Sequence, residues 1–146
     1  MRSLCPLNRF AALVILVFGI LVFILRAQES RSLWDGVYTQ EQAKRGEAAY
    51  GERCARCHGV DLMSGDSVPP LAGTDFLSLW NTKTVGDLFD RIRTSMPSDK
   101  PGTLNRQQDS DIVAYVLSVN KFPAGNTELA TQSALLKQIQ FDAFKQ

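Results

Sequence analysis

The chain has 146 residues, with 16 basic and 15 acidic side chains, and 45% of its residues are hydrophobic. This length suits one modest domain with a terminal segment. The composition excludes disordered and collagen-like chains, and the balanced charge gives no reason to expect nucleic acid as a partner. Three cysteines are too few for a dense disulfide scaffold, and the single histidine, His58, excludes any site that needs two histidines from this chain.

The N-terminus has the layout of an export signal. Residues 1–9 carry two arginines and no acidic residue, and an uncharged, mostly apolar run follows from Phe10 to Leu25. A helix of that length extends roughly 24 Å, less than the ~30 Å hydrocarbon core of a bilayer. Two interpretations of residues 1–27 stay open. Cleavage near Ala27 gives a periplasmic protein, and retention gives an inner-membrane anchor with the remainder facing the periplasm.

The rest of the chain is predicted to be helical, without a convincing strand. Residues 28–38 form an irregular lead-in, residues 39–123 the main domain, and residues 124–146 a C-terminal extension with a short amphipathic helix. Thr39 and Gln42 predict a capping box at the start of a helix that ends near Cys54.

Two further helices are indicated by apolar periodicity. Thr84 caps the second helix, whose apolar stripe continues to Met96, where Pro97 disfavours helical backbone. The third helix runs from about Asn105 to about Asn120. The predicted buried positions are Val85, Leu88, Phe89 and Ile92 in the second helix and Ile112, Tyr115, Val116 and Val119 in the third.

The chemistry-bearing motif is the string Cys54-Ala55-Arg56-Cys57-His58. This C-x-x-C-H spacing is typical of covalent attachment of a c-type haem. Each thiol adds to one porphyrin vinyl group, and the next residue, His58, can bind the iron. Three alternatives are a thioredoxin-like redox pair, which lacks its βαβ context, a zinc site, which lacks a fourth ligand, and a plain disulfide.

Four features in order along the chain resemble a class I cytochrome c domain over about residues 39–123. They are the attachment string, the loop Pro69–Gly73, the pair Met96-Pro97 and a closing helix with Tyr115. The resemblance implies an all-α fold around one covalently bound haem that carries single electrons without chemistry on a substrate. It also implies that Gly46 and Tyr50 meet the closing helix near Tyr115.

The same resemblance implies roles for residues around the haem. The carbonyl of Pro69 accepts a hydrogen bond from the His58 ring, Leu71 packs on the porphyrin, and Trp80 donates its indole N–H to a propionate. Core packing is the alternative for Trp80. Arg91 and Arg93 either neutralise propionates or form a solvated helix face.

The second axial ligand separates a carrier from a catalyst, because an iron with an open sixth position can bind oxygen or peroxide. Met96 is the predicted ligand, since it ends an inward-facing apolar stripe. Met63, Lys83 and Lys100 are the alternatives. Ligation by His58 and Met96 predicts an electron carrier. An open-site haem enzyme or gas-binding haem protein, and a haem subunit of a larger membrane complex, are the other function classes.

The segments Trp34–Thr39 and Arg93–Leu104 are similar to small bacterial cytochromes associated with quinoprotein dehydrogenases. That narrower likeness implies an exported dehydrogenase, such as a quinoprotein, as electron donor and a respiratory protein as acceptor. The sequence has no strong lysine ring that would indicate an acidic partner. The family resemblance implies an apolar partner surface around the exposed haem edge near Cys54.

Overall fold

The computed structural model describes residues 31–63 and 68–145, so the predicted export segment lies outside the described residues. The helices are α1 (Gln40–Arg53), α2 (Ala55–His58), α3 (Gly73–Trp80), α4 (Val85–Ser95), α5 (Arg106–Val119) and α6 (Ser133–Leu136). Two short strands, β1 (Arg31–Ser32) and β2 (Ile139–Gln140), pair in parallel. The all-α prediction is confirmed. Within the described ranges, no helix is both long and apolar enough to cross a membrane.

Helix α1 begins at Thr39, whose hydroxyl accepts a hydrogen bond from the Gln42 N–H at 3.1 Å. Only this half of the predicted capping box forms. The Gln42 side chain is fully buried and instead binds the C-terminal extension, where its Oε1 accepts the Leu129 N–H at 2.7 Å. Its Nε2 donates to the Ser110 hydroxyl at 3.2 Å. The Gln42 amide, which the sequence predicted to cap the start of α1, therefore links α1 to α5 and to the C-terminal extension.

Helices α1 and α5 cross at Gly46. A Cβ atom on Gly46 would lie 1.8 Å from the Asp111 carbonyl oxygen, so only glycine permits this approach. One turn later, the Tyr50 and Tyr115 rings are in contact, with centroids 5.3 Å apart. The predicted meeting of Gly46 and Tyr50 with the closing helix is confirmed.

Helix α4 confirms its sequence prediction at both ends. A full capping box forms at its start, where the Asp87 N–H donates to the Thr84 hydroxyl and the Thr84 N–H donates to the Asp87 carboxylate. The four predicted stripe residues are buried. Met96 leaves the helix in extended conformation, with φ −123° and ψ 151°, while its N–H still donates to the Ile92 carbonyl at 2.9 Å.

Helix α5 is more deeply buried than its stripe predicted. Tyr115 and Val119 are only half-buried, whereas a continuous stretch from Asp109 to Ala114 is buried. The reason is that α5 packs against α1, α4 and the C-terminal extension, so more than one of its faces is covered. Helical periodicity indicates a single buried face and cannot show a second covering layer.

In the C-terminal extension, the predicted amphipathic helix is only one turn long. Only Ser133–Leu136 is helical, and of the apolar residues after it Ile139, Phe141 and Ala143 are buried, whereas Phe144 is exposed. Phe141 is fully buried, and its backbone N–H donates to the Lys83 carbonyl at 2.8 Å. The extension is therefore held by backbone hydrogen bonds and by one aromatic anchor.

The lead-in, expected to be irregular, includes β1 and a 3₁₀ turn over Leu33–Asp35. Asp142 of the extension accepts hydrogen bonds from the Ser32 hydroxyl and, at 3.0 Å, from the Leu33 N–H. The Trp34 indole N–H donates to the Asp142 carbonyl at 3.0 Å. The expectation of no strand was wrong here, because a two-residue strand pairing between distant segments has no periodicity to detect.

We expect Gly46→Ala to lower the thermal midpoint of the holoprotein strongly. The new methyl group meets the Asp111 backbone, which cannot rotate away, so the cost exceeds the about 1–3 kcal/mol of ordinary overpacking. Gly51→Ala on the same helix is the matched control, since a Cβ there meets open space. It should be neutral or stabilise by up to about 1 kcal/mol. Equal midpoints for the two variants would contradict the close crossing.

Candidate functional site

The predicted site residues line one cleft of about 250 Å³ between α2, the loop after it, α4 and α5. Most of its lining is apolar, with two thiols, one imidazole and one thioether among the side chains. Residues Cys54, Cys57, His58, Pro69, Leu71, Trp80 and Met96, all singled out from sequence, contribute to the lining. The structure therefore brings together residues that are up to 42 positions apart in the chain.

The attachment string forms a tight helical turn directly after α1. The N–H groups of Cys57 and His58 both donate to the Cys54 carbonyl, at 3.0 and 2.9 Å. The Tyr50 hydroxyl donates to the Gly59 carbonyl at 2.7 Å and holds the end of this turn against α1. The turn therefore presents both thiols and the imidazole to the same cleft.

The two cysteines of the string do not form a disulfide, and Cys54 is half-buried while Cys57 is exposed. Burial, and secondarily the neighbouring Cys57, raises the pKa of Cys54 to about 11. A reactive dithiol pair needs a lowered thiol pKa, so this environment does not favour the thioredoxin-like alternative.

His58 is buried, and its Nδ1 lies 3.3 Å from the Pro69 carbonyl oxygen. Burial lowers the pKa of the imidazole, although the contact with Pro69 opposes that shift. The lowered pKa favours the neutral form of the ring. With the Nδ1 proton donated to Pro69, Nε2 carries the free lone pair that a metal ligand requires.

The loop that carries Pro69 and Leu71 is fixed by its backbone. The Leu71 N–H donates to the Leu62 carbonyl at 2.8 Å, and the Asn120 side chain binds the other side of the loop. Asn120 Nδ2 donates to the Leu71 carbonyl at 2.9 Å, and its Oδ1 accepts the Gly73 N–H at 3.1 Å. Sequence reasoning missed Asn120, because an asparagine after a helix is usually only a cap.

The structure separates the candidate axial ligands. Met96 is half-buried and lines the cleft, whereas the Met63 side chain is 53% exposed and is not part of the lining. Lys83 Nζ donates to the Leu79 carbonyl at 2.8 Å, and Lys100 is exposed. Met96 alone among the four combines a soft donor atom with a place in the cleft.

Trp80 lies at the boundary between the cleft and an aromatic cluster. It is half-buried and packs on Phe76 and Phe141, with ring centroids 6.1 and 6.3 Å away. Phe141 also contacts Phe122 at 5.8 Å. The Trp80 ring therefore packs against the aromatic core and also forms part of the cleft wall.

The sequence left two roles possible for Arg91 and Arg93, and the structure places the two side chains in different surroundings. Arg91 lines the cleft, whereas Arg93 forms an ion pair with buried Asp109 at 3.5 Å. Arg93 therefore pairs within the protein, although its side chain stays 35% exposed. Arg56 also lines the cleft and pairs with Asp99 at 2.9 Å.

A model of the family described as "Cytochrome C oxidase, cbb3-type, subunit III" matches residues 41–116, more than half of the chain. The chain belongs to this family of c-type cytochromes. The cytochrome is 29% identical to the Cbb3-type cytochrome c oxidase subunit CcoP of Azospirillum brasilense, across 52% of this chain and 30% of that protein. It thus matches less than a third of that relative's length.

A solved structure is also similar to this cytochrome. It is the sulfane dehydrogenase SoxCD of Paracoccus pantotrophus, at 22% identity and a TM-score of 0.49, over 73% of this chain and 61% of that chain. The family establishes covalently bound haem c, with its iron, as the cofactor. The donor set of the cleft fits that group, because two thiols, a neutral imidazole and a thioether line mostly apolar walls.

We expect Phe141→Ala to destabilise the holoprotein by about 3–5 kcal/mol, since it removes a fully buried ring behind Trp80. Phe144→Ala in the same extension is the matched control, because Phe144 is 53% exposed. Chemical denaturation of both variants measures the difference. Similar midpoints for the two would show that the extension is not anchored through Phe141.

Proposed function

We propose that this cytochrome carries single electrons with an iron held between His58 and Met96. The observation that supports the proposal is that these two side chains, from separate segments, line one apolar cleft. Iron bound by both side chains would have no free position for oxygen or peroxide, so the proposed protein is a carrier and not an enzyme.

The chain's own residues have distinct parts in this proposal. Cys54 and Cys57 hold the haem by thioethers, and His58 supplies Nε2 while Pro69 fixes the ring orientation. Leu71 and Trp80 form apolar wall and exclude water. When bound, the haem supplies an iron that changes between ferrous and ferric states.

Ligation by methionine is expected to raise the reduction potential of the haem iron. A thioether is a soft ligand that favours ferrous iron, and paired with histidine it raises the reduction potential. Burial in an apolar cleft adds to that effect, because it disfavours the extra charge of the ferric state. We therefore propose a carrier of middle to high potential.

The family offers a second candidate, a haem subunit fixed in a larger membrane complex. It is favoured by the likeness to CcoP, which is described as a subunit of a cbb3-type cytochrome c oxidase. Co-purification of this chain from solubilised membranes with further subunits would support that candidate, and recovery as a separate monomer would support the independent carrier.

We further propose that the cytochrome acts outside the cytoplasm, between an exported dehydrogenase such as a quinoprotein and a respiratory acceptor. The support is the basic and apolar N-terminus together with the haem-attachment string. Residues 1–27 then act either as a cleaved signal or as an inner-membrane anchor.

Attachment through both cysteines predicts that acidified acetone leaves the haem colour on the protein. Cys57→Ser should give little mature holoprotein, because one of the two thioethers cannot form. Cys5→Ser is the control, since Cys5 lies outside the attachment string, and its holoprotein yield should equal that of the wild type. Extraction of free haem from the wild type would contradict the assignment.

Ligation by Met96 predicts that Met96→Ala lowers the midpoint potential and opens the iron to carbon monoxide. The weak long-wavelength ferric band typical of iron–methionine bonding should also disappear. Met63→Ala is the matched control and should retain the band and the potential, since Met63 does not line the cleft. Ready binding of carbon monoxide by the wild type would instead support an open-site haem protein.

A further inference from the structure

Asp109 on α5 is a buried carboxylate without hydrogen bonds. The residue has no exposed surface, and neither Oδ1 nor Oδ2 has a hydrogen-bond partner in the described part of the chain. Arg93 Nη1 of α4 approaches Oδ2 to 3.5 Å. Leaving carboxylate oxygens without hydrogen bonds in the interior is costly, so such a group calls for an explanation, of which a functional role is one.

The neighbouring Asp111 shows that α5 can pair a buried carboxylate fully. Asp111 is 4% exposed, and Arg45 donates to both of its oxygens at 3.0 Å. Gln107 donates a further hydrogen bond at 2.8 Å. The lack of hydrogen bonds at Asp109, whose one ion pair is the 3.5 Å contact with Arg93, is therefore specific to its position.

Burial raises the pKa of Asp109 to about 6, while Arg93 and, on its own helix, Arg106 oppose that shift. These two are the charged side chains, among those of the described residues, that act on this carboxyl. The group therefore changes charge close to neutral pH, unlike a carboxylate held ionised by strong hydrogen bonds.

The position of Asp109 connects it to the haem cleft. Ile112, one turn further along α5, lines the cleft, and so does Ile92, the residue before Arg93. Asp109 and Ile112 are three residues apart on α5, which corresponds to a rise of about 4.5 Å along the helix axis. The carboxyl and its arginine therefore lie in two helices that also form the cleft wall.

We propose that Asp109 is a redox-linked proton site that takes up a proton from solvent when the haem iron gains an electron. It releases that proton when the electron leaves. The donor of the proposed carrier function supplies the electron, and the only covalent bond made or broken is the O–H bond of the carboxyl. The inference rests on the proposed haem cleft.

The physical basis is the coupling of two charges in a medium of low dielectric constant. Ferric iron carries one more positive charge than ferrous iron, so it stabilises the ionised Asp109 more strongly. By linkage, ionised Asp109 stabilises the ferric state in return. The midpoint potential should therefore fall as pH rises through the pKa of Asp109.

The test is a redox titration of the holoprotein at a series of pH values from about 4 to about 8. The wild-type potential should fall around pH 6 and level off on both sides, with at most a tenfold change in the ferric-to-ferrous ratio per pH unit at fixed ambient potential. In Asp109→Asn the fall should be absent and the potential should stay near the acid plateau. Asp111→Asn, the matched control, should retain the fall.

Arg93→Gln provides a second variant that keeps the carboxyl. Because Arg93 opposes the raised pKa, its loss should move the fall to higher pH. A pH-independent wild-type potential, a fall retained in Asp109→Asn, or a fall unmoved in Arg93→Gln would each overturn the proposal. The visible spectrum of every variant reports separately whether the haem is held in the cleft.

Discussion

The close approach of α1 and α5 at Gly46 is the constraint that brings the haem-attachment turn and α5 to the same cleft. Because no Cβ separates Gly46 from the Asp111 carbonyl, the two helices meet at backbone distance. The end of α1 then leads directly into the turn that carries Cys54 and His58. On the other helix, Ile112 reaches the cleft wall from the same crossing. The absence of a side chain at Gly46 therefore helps to position Cys54, His58 and Ile112 at the cleft, although Gly46 does not line it.

Around that crossing, hydrogen bonds to the backbone fix the groups that face the cofactor. The carbonyls of Pro69 and Leu71 are bound by His58 and Asn120, so the loop and the imidazole orient each other. The C-terminal extension adds a second layer, in which Phe141 supports Trp80 from behind. An electron carrier benefits from such a rigid site, because well-packed walls shift little when the charge of the iron changes.

The two aspartates of α5 show how environment changes the chemistry of one residue type. Asp111 is held by three hydrogen bonds from two side chains, whereas Asp109 two residues earlier is buried without any. Their identical side chains therefore differ in hydrogen bonding, although both are buried. No sequence pattern distinguishes them, since the difference depends on whether Arg45 and Gln107 reach the carboxyl.

The sequence by itself determined the helical class, the haem-attachment string, and the boundaries and apolar stripe of α4. These follow from local chemistry: caps, 3.6-residue periodicity and the spacing of two thiols and an imidazole. Only the tertiary structure decided that Met96 and not Met63 lines the cleft, that Asn120 fixes the proline loop, and that the C-terminal extension lies in extended form. Those features depend on contacts between residues far apart in the chain. A local sequence pattern does not show which distant residues will be in contact.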